Sequence, residues 1–327
     1  MFDIHDPEIR FALQAVQQAA LLVRLIQTEL VVSAQEKEDR SPVTMADYAS
    51  QALVAHLLAE SFPQDALVAE EDSIALQGTP LLGQVTAYVR HQLPAASPES
   101  VCAWIDRGGS IPAGRFWTLD PIDGTKGFLR GDQYAVALAL VESGQVQIGV
   151  LGCPNLRDGY RPDHGGEGSL VVAVRGQGSW VASLVSPQYF DRLQASRRLD
   201  PSTARLLRSF ESGHTNLGQI DQLATVLGIA SNAVAMDSQA KYCVLASGKA
   251  DLMLRMLSPS RPDYREKIWD QAAGLLIIEE AEGKVTDLDG KPLDFSTGRT
   301  LANNRGVLAS NGFLHPAVLQ ALHQMGA

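Results

Sequence analysis

The stretch that most constrains this chain is Trp117-Thr118-Leu119-Asp120-Pro121-Ile122-Asp123-Gly124-Thr125-Lys126-Gly127-Phe128. Its first residues read as a strand. Pro121 has no N–H to give to a ladder, and Gly124 permits a sharp change of backbone direction. Two carboxylates three residues apart, with the Ile122 carbonyl between them, can then converge on one point. Oxygen-only donors of this sort select hard cations, Mg²⁺ above all. The N–H groups of Gly124-Thr125-Lys126 should open a helix, which makes a seat for phosphate. An Asx-turn with two solvated aspartates would use the same residues, so the other acids in the chain matter.

Three further acidic positions bear on that choice. Glu70-Glu71-Asp72 follows the apolar run Ala66-Leu67-Val68-Ala69 and so sits at a strand end, although a charge run alone also suits a solvated face. Asp47, in Thr44-Met45-Ala46-Asp47, doubles as the third residue of a helix capped by Thr44. Asp270, in Trp269-Asp270-Gln271, suits the N-cap of the following helix. Each has an ordinary structural role. Their coincidence is explained by one site at which strand ends and helix starts meet.

The rest of the chain supplies such ends. Asp6 and Pro7 open a helix in which Ile9, Leu13, Val16, Ala20 and Val23 recur at steps of four and three. The polar stretch 33–40 breaks it, and a second helix follows Ser41-Pro42-Val43-Thr44 with Ala46, Ala49, Leu53 and Leu57 on one face. Residues 74–115, rich in Gly, Pro and Ser, read as an insertion with short helical pieces. Strands are predicted over 116–119, 134–141 and 146–151, the last two joined by the turn Ser143-Gly144, and over 169–174 after the Gly-rich loop 163–168. Farther on the texture alternates: strand 233–236, helix 239–246, strand 252–254, helix 271–281. The expected organisation is an N-terminal α+β lobe (1–200) with most of the acids, a C-terminal α/β lobe (201–327), and a cleft between them.

Composition removes several function classes. With 27 Lys+Arg against 37 Asp+Glu the chain carries −10, which argues against a nucleic-acid partner. At 45% apolar and 20% charged it can bury a sizeable core. No apolar run approaches the ~20 residues of a membrane span, the longest candidate being 135–141, and the acidic start Asp3, His5, Asp6, Glu8 is no signal peptide. Cys102, Cys153 and Cys243 are odd in number and far apart, so neither a disulfide framework nor a zinc site is expected. The expectation is a reduced, cytoplasmic, monomeric enzyme without a membrane partner.

The chain resembles the inositol-monophosphatase-like superfamily of Mg²⁺-dependent, lithium-sensitive phosphatases. The resemblance rests on D-P-I-D-G-T at 120–125, W-D-x-A-A-G at 269–274, the Glu70-Glu71 pair and S-P-V-T-x-x-D at 41–47. Within that superfamily it is most similar to the 3′(2′),5′-bisphosphate nucleotidase branch, through T-K-G-F-L-R-G at 125–131, G-C-P-N-L at 152–156, D-S-Q-A-K-Y-C at 237–243 and E-K-I-W-D at 266–270. The resemblance implies a layered α-β-α-β-α sandwich with the active site between two lobes. It implies that Glu70, Asp120, Asp123, Asp270 and the Ile122 carbonyl hold two or three Mg²⁺ ions, and that Asp47 and Thr125 activate the attacking water. It implies a nucleotide pocket on Thr125, His214, Ser238, Lys241, Arg255 and Asp270, and hydrolysis of adenosine 3′,5′-bisphosphate, with the 5′-phosphosulfate analogue as second substrate.

The charges suit that assignment, since Lys and Arg can hold a distal phosphate and Ser a hydroxyl contact. Plainer roles stay open: His214 in a solvated loop, Lys241 on an exposed helical turn, Arg255 paired with a structural carboxylate. Rival functions are an inositol 1,4-bisphosphate or sugar bisphosphate phosphatase on the same fold, or a non-catalytic nucleotide sensor. Ala69 and Asp72 stand where a Gly and a Ser often flank the Glu pair, and Glu282-Gly283 replaces a common Gly-Gly.

Overall fold

The structure, a computed structural model, describes residues 2–31, 41–210, 215–230, 232–258 and 261–326. Asp6 accepts from the N–H groups of Glu8 and Ile9 at 2.8 and 3.2 Å, and Pro7 takes the first position of α1 (Pro7–Ile26), which runs into one π turn. The stretch 33–40 lies outside the described residues. Helix α2 (Ser41–Ser61) begins before Thr44, so Asp47 sits in its second turn and is not the third residue after a Thr44 cap. Next come β1 (Ala66–Ala69), two short helices in the inserted region, α3 (Pro80–Val89) and α4 (Pro98–Asp106), then β2 (Arg115–Asp123) and the single-turn-and-a-half α5 (Thr125–Arg130). Strands β3 (Ala135–Glu142) and β4 (Gln145–Cys153) form the expected hairpin. Ser143 and Gly144 both have positive φ, 49° and 75°, the geometry that matches the twist of two-residue hairpins.

A minor ribbon, β5 (Leu156–Arg157) and β6 (Arg161–Pro162), precedes β7 (Ser169–Val174), β8 (Gly178–Ser183) and β9 (Asp191–Arg192). The first sheet has the order β1-β2-β3-β4-β7-β8-β9, with β1 and β2 parallel and the other neighbours antiparallel. The later elements are β10 (Leu206–Arg208), α6 (Leu217–Val226), β11 (Val234–Ala235), α7 (Ala240–Ala246), β12 (Leu252–Arg255), α8 (Ala272–Glu280), β13 (Lys284–Thr286), β14 (Val307–Ser310) and α9 (His315–Met325). They build a second sheet of order β11-β10-β12-β14-β13.

Five layers follow from how each sheet shares out its faces. In β3, Val136, Leu138 and Leu140 join the core formed with α1 and α2, while Ala135, Ala137 and Ala139 turn to the core that holds α7 and α8. Large residues thus fill one face of β3 and alanines the other. A Cβ on Gly149 of β4 would stand 2.8 Å from the Ala273 carbonyl oxygen, and one on Gly274 would strike the Tyr242 ring. Ala273 therefore lies close on the first sheet, and Gly274 lets α8 lie close on α7. The second sheet has the α7–α8 layer on one face and α6 and α9 on the other, the outer face formed by Leu206, Leu252, Leu254 and Leu308. The result is the expected α-β-α-β-α sandwich.

One expectation needs correction. The helical stretch Pro7–Glu29 is long and apolar enough, by length and composition, to cross a membrane, with a hydropathy of 1.3 in its most apolar window. Gln and Arg residues interrupt its apolar run, and 61% of that window is buried inside the protein, against α2 and the first sheet.

Candidate active site

Sheet geometry alone would place Asp120 and Asp123 on opposite faces of β2, because their separation is odd. The register against β3 shifts between them: Asp120 pairs with Ala137 and Asp123 with Ala135, so three steps on β2 match two on β3. That bulge, made where Pro121 cannot continue the ladder, turns both acids to the same cavity. Ser50 of α2 donates to the Pro121 carbonyl at 3.0 Å and holds the bulge from behind. Gly124 follows at φ 89°, and a Cβ there would lie 2.8 Å from Cβ of Ser238. The glycine thus lets the end of β2 approach the turn before α7, and α5 starts at Thr125.

Glu70 leaves the end of β1, and its neighbour Glu71 is fastened by Gln51, whose side chain accepts from the Glu71 N–H at 3.0 Å and donates to the Glu71 carbonyl at 2.7 Å. Asp270 precedes α8 but does not cap it; the cap position is Gln271, with no side-chain bond. Glu70, Asp120, Ile122, Asp123, Thr125, Ser238, Lys241, Arg255 and Asp270 all line one cavity of about 250 Å³. Asp47 lies buried behind it and feels the charges of Glu71 and Glu70. His214 is outside the described residues.

Proton affinities show how closely these acids crowd. Burial, then Glu70, Asp123, Asp270 and Asp47, push the Asp120 carboxyl well above the usual range. Burial also raises Asp270 strongly, against the pull of Arg255. Asp47 is raised by burial and by Glu71 and Glu70. Glu70 is exposed at the rim, yet desolvation of its carboxyl, helped by Glu71 and Asp123 and opposed by Lys267 and Arg299, brings it to about 7. Asp123 is raised less: burial dominates, but Lys241, Arg255 and the Gln239 N–H, 2.6 Å from Oδ2, favour its charged form.

Whether a cation fits can be judged from the donors. Among the described residues no three His, Cys, Asp or Glu side chains already stand close enough to hold one ion. The Gln239 N–H already holds one oxygen of Asp123 at 2.6 Å, and Glu70, Asp120 and Asp270 line the same cavity. Asp47 Oδ1 and Asp120 Oδ1, however, are buried with no hydrogen-bond partner. Unpartnered carboxylate oxygens beside further acids are the chemistry a hard divalent cation satisfies, so the residues fit such an ion.

The basic residues carry structural bonds as well as facing the cavity. Lys241 is buried, not on an exposed turn; Nζ donates to the carbonyls of Ser238 at 2.8 Å and Met236 at 3.1 Å, and burial pulls its pKa down to about 8 against the attraction of Asp123. Arg255 reaches both carboxylate oxygens of buried Glu266, Nη2 at 2.9 Å and Nε at 3.2 Å. Ser238 holds a positive φ of 64°, and its hydroxyl accepts from the Ala240 N–H at 3.1 Å.

Sequence reasoning missed Lys126, Ser209, Tyr264 and Lys267, which also line the cavity. Lys126 and Lys267 were inside motifs already singled out, so their position beside the acids was the available signal. Asp72, which stands where a Ser often flanks the Glu pair, is exposed and accepts from the N–H of Ile74, two residues on, at 3.0 Å. Glu282 is remote from the cavity, its carboxylate accepting from Gln194 at 2.9 Å.

The model of the Inositol monophosphatase family matches residues 5–327. A 3′(2′),5′-bisphosphate nucleotidase of Emericella nidulans is 40% identical, covering 98% of this chain and 99% of that protein. One from Schizosaccharomyces pombe is 40% identical, covering 97% and 95%, and one from Oryza sativa is 41% identical, covering 96% and 93%. Among solved structures, inositol monophosphatases from Anabaena and Zymomonas mobilis superpose with TM-scores of 0.62 and 0.63 at 21% and 20% identity. The alignments cover 96% of this chain and 94% of the Anabaena chain, and 98% of this chain and 100% of the Zymomonas chain, which shows a shared fold. The chain belongs to the inositol monophosphatase family.

Proposed function

We propose that the protein is a Mg²⁺-dependent 3′(2′),5′-bisphosphate nucleotidase that hydrolyses adenosine 3′,5′-bisphosphate to AMP and phosphate and also accepts the 5′-phosphosulfate analogue. One observation carries the reading: the cavity that the acids line is also lined by Ser238 and Lys241, from the segment that distinguishes the nucleotidase branch. Near-full-length identity of about 40% to proteins of that name supports it.

In this reading Glu70, Asp120, Asp123, Asp270 and the Ile122 carbonyl hold two or three Mg²⁺ ions. Bound there, Mg²⁺ supplies a lowered pKa for water and charge neutralisation for phosphoryl and leaving oxygens. Thr125 orients the attacking water from the start of α5, and its hydroxyl passes the proton toward Asp47, whose raised proton affinity suits a base. Ser238, Lys241 and Arg255 meet the nucleotide and its 5′-phosphate, a role that the family resemblance also assigns to His214. For Lys241 and Arg255 this is a second duty beside the carbonyl and Glu266 bonds. The reading keeps the division into lobes 1–200 and 201–327, which the two separate sheets support. It also places the enzyme in the cytoplasm as a monomer, a setting in keeping with free thiols at Cys102, Cys153 and Cys243.

The test is phosphate release from adenosine 3′,5′-bisphosphate and from inositol 1,4-bisphosphate, each with Mg²⁺ and with EDTA. The nucleotide should be preferred and EDTA should abolish turnover. Preference for the inositol substrate would reassign the specificity, and full activity in EDTA would remove the metal.

A further inference from the structure

Glu70 and Asp270 come from opposite ends of the chain, and one side chain touches the backbone or ring beside both. Arg299 lies in the loop between β13 and β14, just after Gly298, whose φ of 103° lets the chain turn there. Its Nη1 donates to the Gly108 carbonyl at 3.0 Å and its Nη2 to the carbonyl of Ala69, the last residue of β1. Gly108 also accepts from the Ala69 N–H at 2.8 Å, so the two residues and the arginine form one closed patch directly behind Glu70. The guanidinium carbon lies over the Trp269 ring, 4.8 Å from its centre, next to Asp270. The backbone completes the joint: Ile268 N–H donates to the Arg299 carbonyl at 3.2 Å, Leu301 N–H to the Glu266 carbonyl at 2.9 Å, and Lys267 pairs with Thr300 in a single antiparallel bridge.

We propose that Arg299 is a positioning residue: its guanidinium sets the direction in which Glu70 leaves β1 and holds Trp269-Asp270 against it, so that acids from both ends of the chain close together on a divalent cation. The inference rests on the reading of Glu70 and Asp270 as metal ligands. A planar fork is required, because only it can serve two carbonyls and lie on an indole face at once. A lysine would keep the charge near Glu70 and lose the fork. Contacts that orient metal ligands from outside typically change metal affinity by about 10- to 100-fold when removed.

The experiment is calorimetric titration of the metal-free full-length protein with Mn²⁺, beside steady-state kinetics over a Mg²⁺ series. Arg299→Gln should bind Mn²⁺ at least about tenfold more weakly and need correspondingly more Mg²⁺, with KM for the phosphate ester within about twofold once Mg²⁺ saturates. Arg299→Lys should fall between it and the parent. Arg175→Gln, which breaks a remote pair with Glu279 (3.2 Å), controls for general loss of stability. Mn²⁺ affinity within about twofold of the parent in Arg299→Gln, or a loss no larger than in Arg175→Gln, would overturn the inference. If Arg299→Gln does not fold, Arg299→Lys carries the test, with about threefold or greater weakening expected and parental affinity overturning it. Asp120→Asn separates the two readings: Mn²⁺ affinity unchanged there means the acids are not ligands, whatever Arg299 does.

Discussion

The middle of the first sheet and its edge at the cavity are built on opposite terms. Along β3 every residue from Ala135 to Val141 is apolar and essentially sealed from solvent. At the ends of β1 and β2 the same sheet delivers Glu70, Asp120 and Asp123, whose proton affinities are raised by burial and mutual repulsion. The first region gains free energy by excluding water; the second gives some up by holding like charges together. Stability and chemistry are therefore carried by different parts of one sheet, and substitutions in the two should have opposite signs.

The largest effect is expected at the cavity. Asp120→Asn should lower turnover by roughly 10³-fold or more, since metal-assisted charge stabilisation is worth several kcal/mol. The same change removes a charge that only repels its neighbours, so the metal-free protein should melt no lower than the parent and even higher. Near-normal turnover, or a lowered melting temperature, would erase the contrast between the two regions.

Next in size is Thr125→Ala, expected to reduce kcat by ~10²–10⁴ with little change in KM, as loss of proton-transfer assistance does. Asp47→Asn should behave alike, and the double variant should lose far less than the product of the two. Fully multiplicative losses would break the shared proton path.

The sheet centre gives the mirror image. Leu138→Ala removes a fully buried side chain from the core shared with α1 and α2, and should destabilise by about 2–5 kcal/mol. Turnover per folded molecule should stay at the parental level. A loss of kcat at temperatures where the variant is fully folded would show that the two regions are not independent.

The pH dependence sharpens the comparison further. Glu70 titrates near 7 in the folded chain against 4.5 for the ordinary group, and Asp47, Asp120 and Asp270 are raised as well. Between the unfolded and folded values the native state binds more protons, so stability is present at low pH and lost as pH rises through that window. Denaturant titrations of the metal-free protein should show greater stability at about pH 5 than at about pH 8, and saturating Mg²⁺ should flatten or reverse the slope. A slope of the opposite sign without metal would contradict the crowding of these acids.

The smallest effect lies far from both regions. Glu282 follows α8 at φ 69°, a left-handed position that favours glycine, and Gly283 N–H closes the turn on the Ile278 carbonyl at 2.9 Å. Glu282→Gly should stabilise by about 1 kcal/mol, less what the Gln194 contact contributes, without changing kcat. A fall in melting temperature would show that the side-chain contact outweighs the strain.

Much of this architecture was legible because its causes are local. Asp6 with Pro7 announces α1, and Ser143-Gly144 announces the hairpin, since a cap bond and a positive φ depend on neighbours a few residues away. The acids of the cavity were legible too, each at the junction of an apolar run with a turn or helix start. The basic side was less so. Lys241 and Arg255 were readable as cations, but their bonds to the Ser238 carbonyl and to Glu266 depend on how α7, β12 and the 266–270 loop meet.

By itself, then, the sequence determined the N-terminal helices, the central hairpin, the family, and which acids were candidates for one site, because periodicity, capping and breaker residues act over a few positions. Tertiary structure alone decided that a bulge turns Asp120 and Asp123 to one side, that the alanines of β3 let α8 lie close, and that Arg299 reaches back to the end of β1. Those facts depend on register and on contacts between residues distant along the chain. No local pattern encodes such distances; they appear only when the sheets have formed and the remaining side chains must share the space between them.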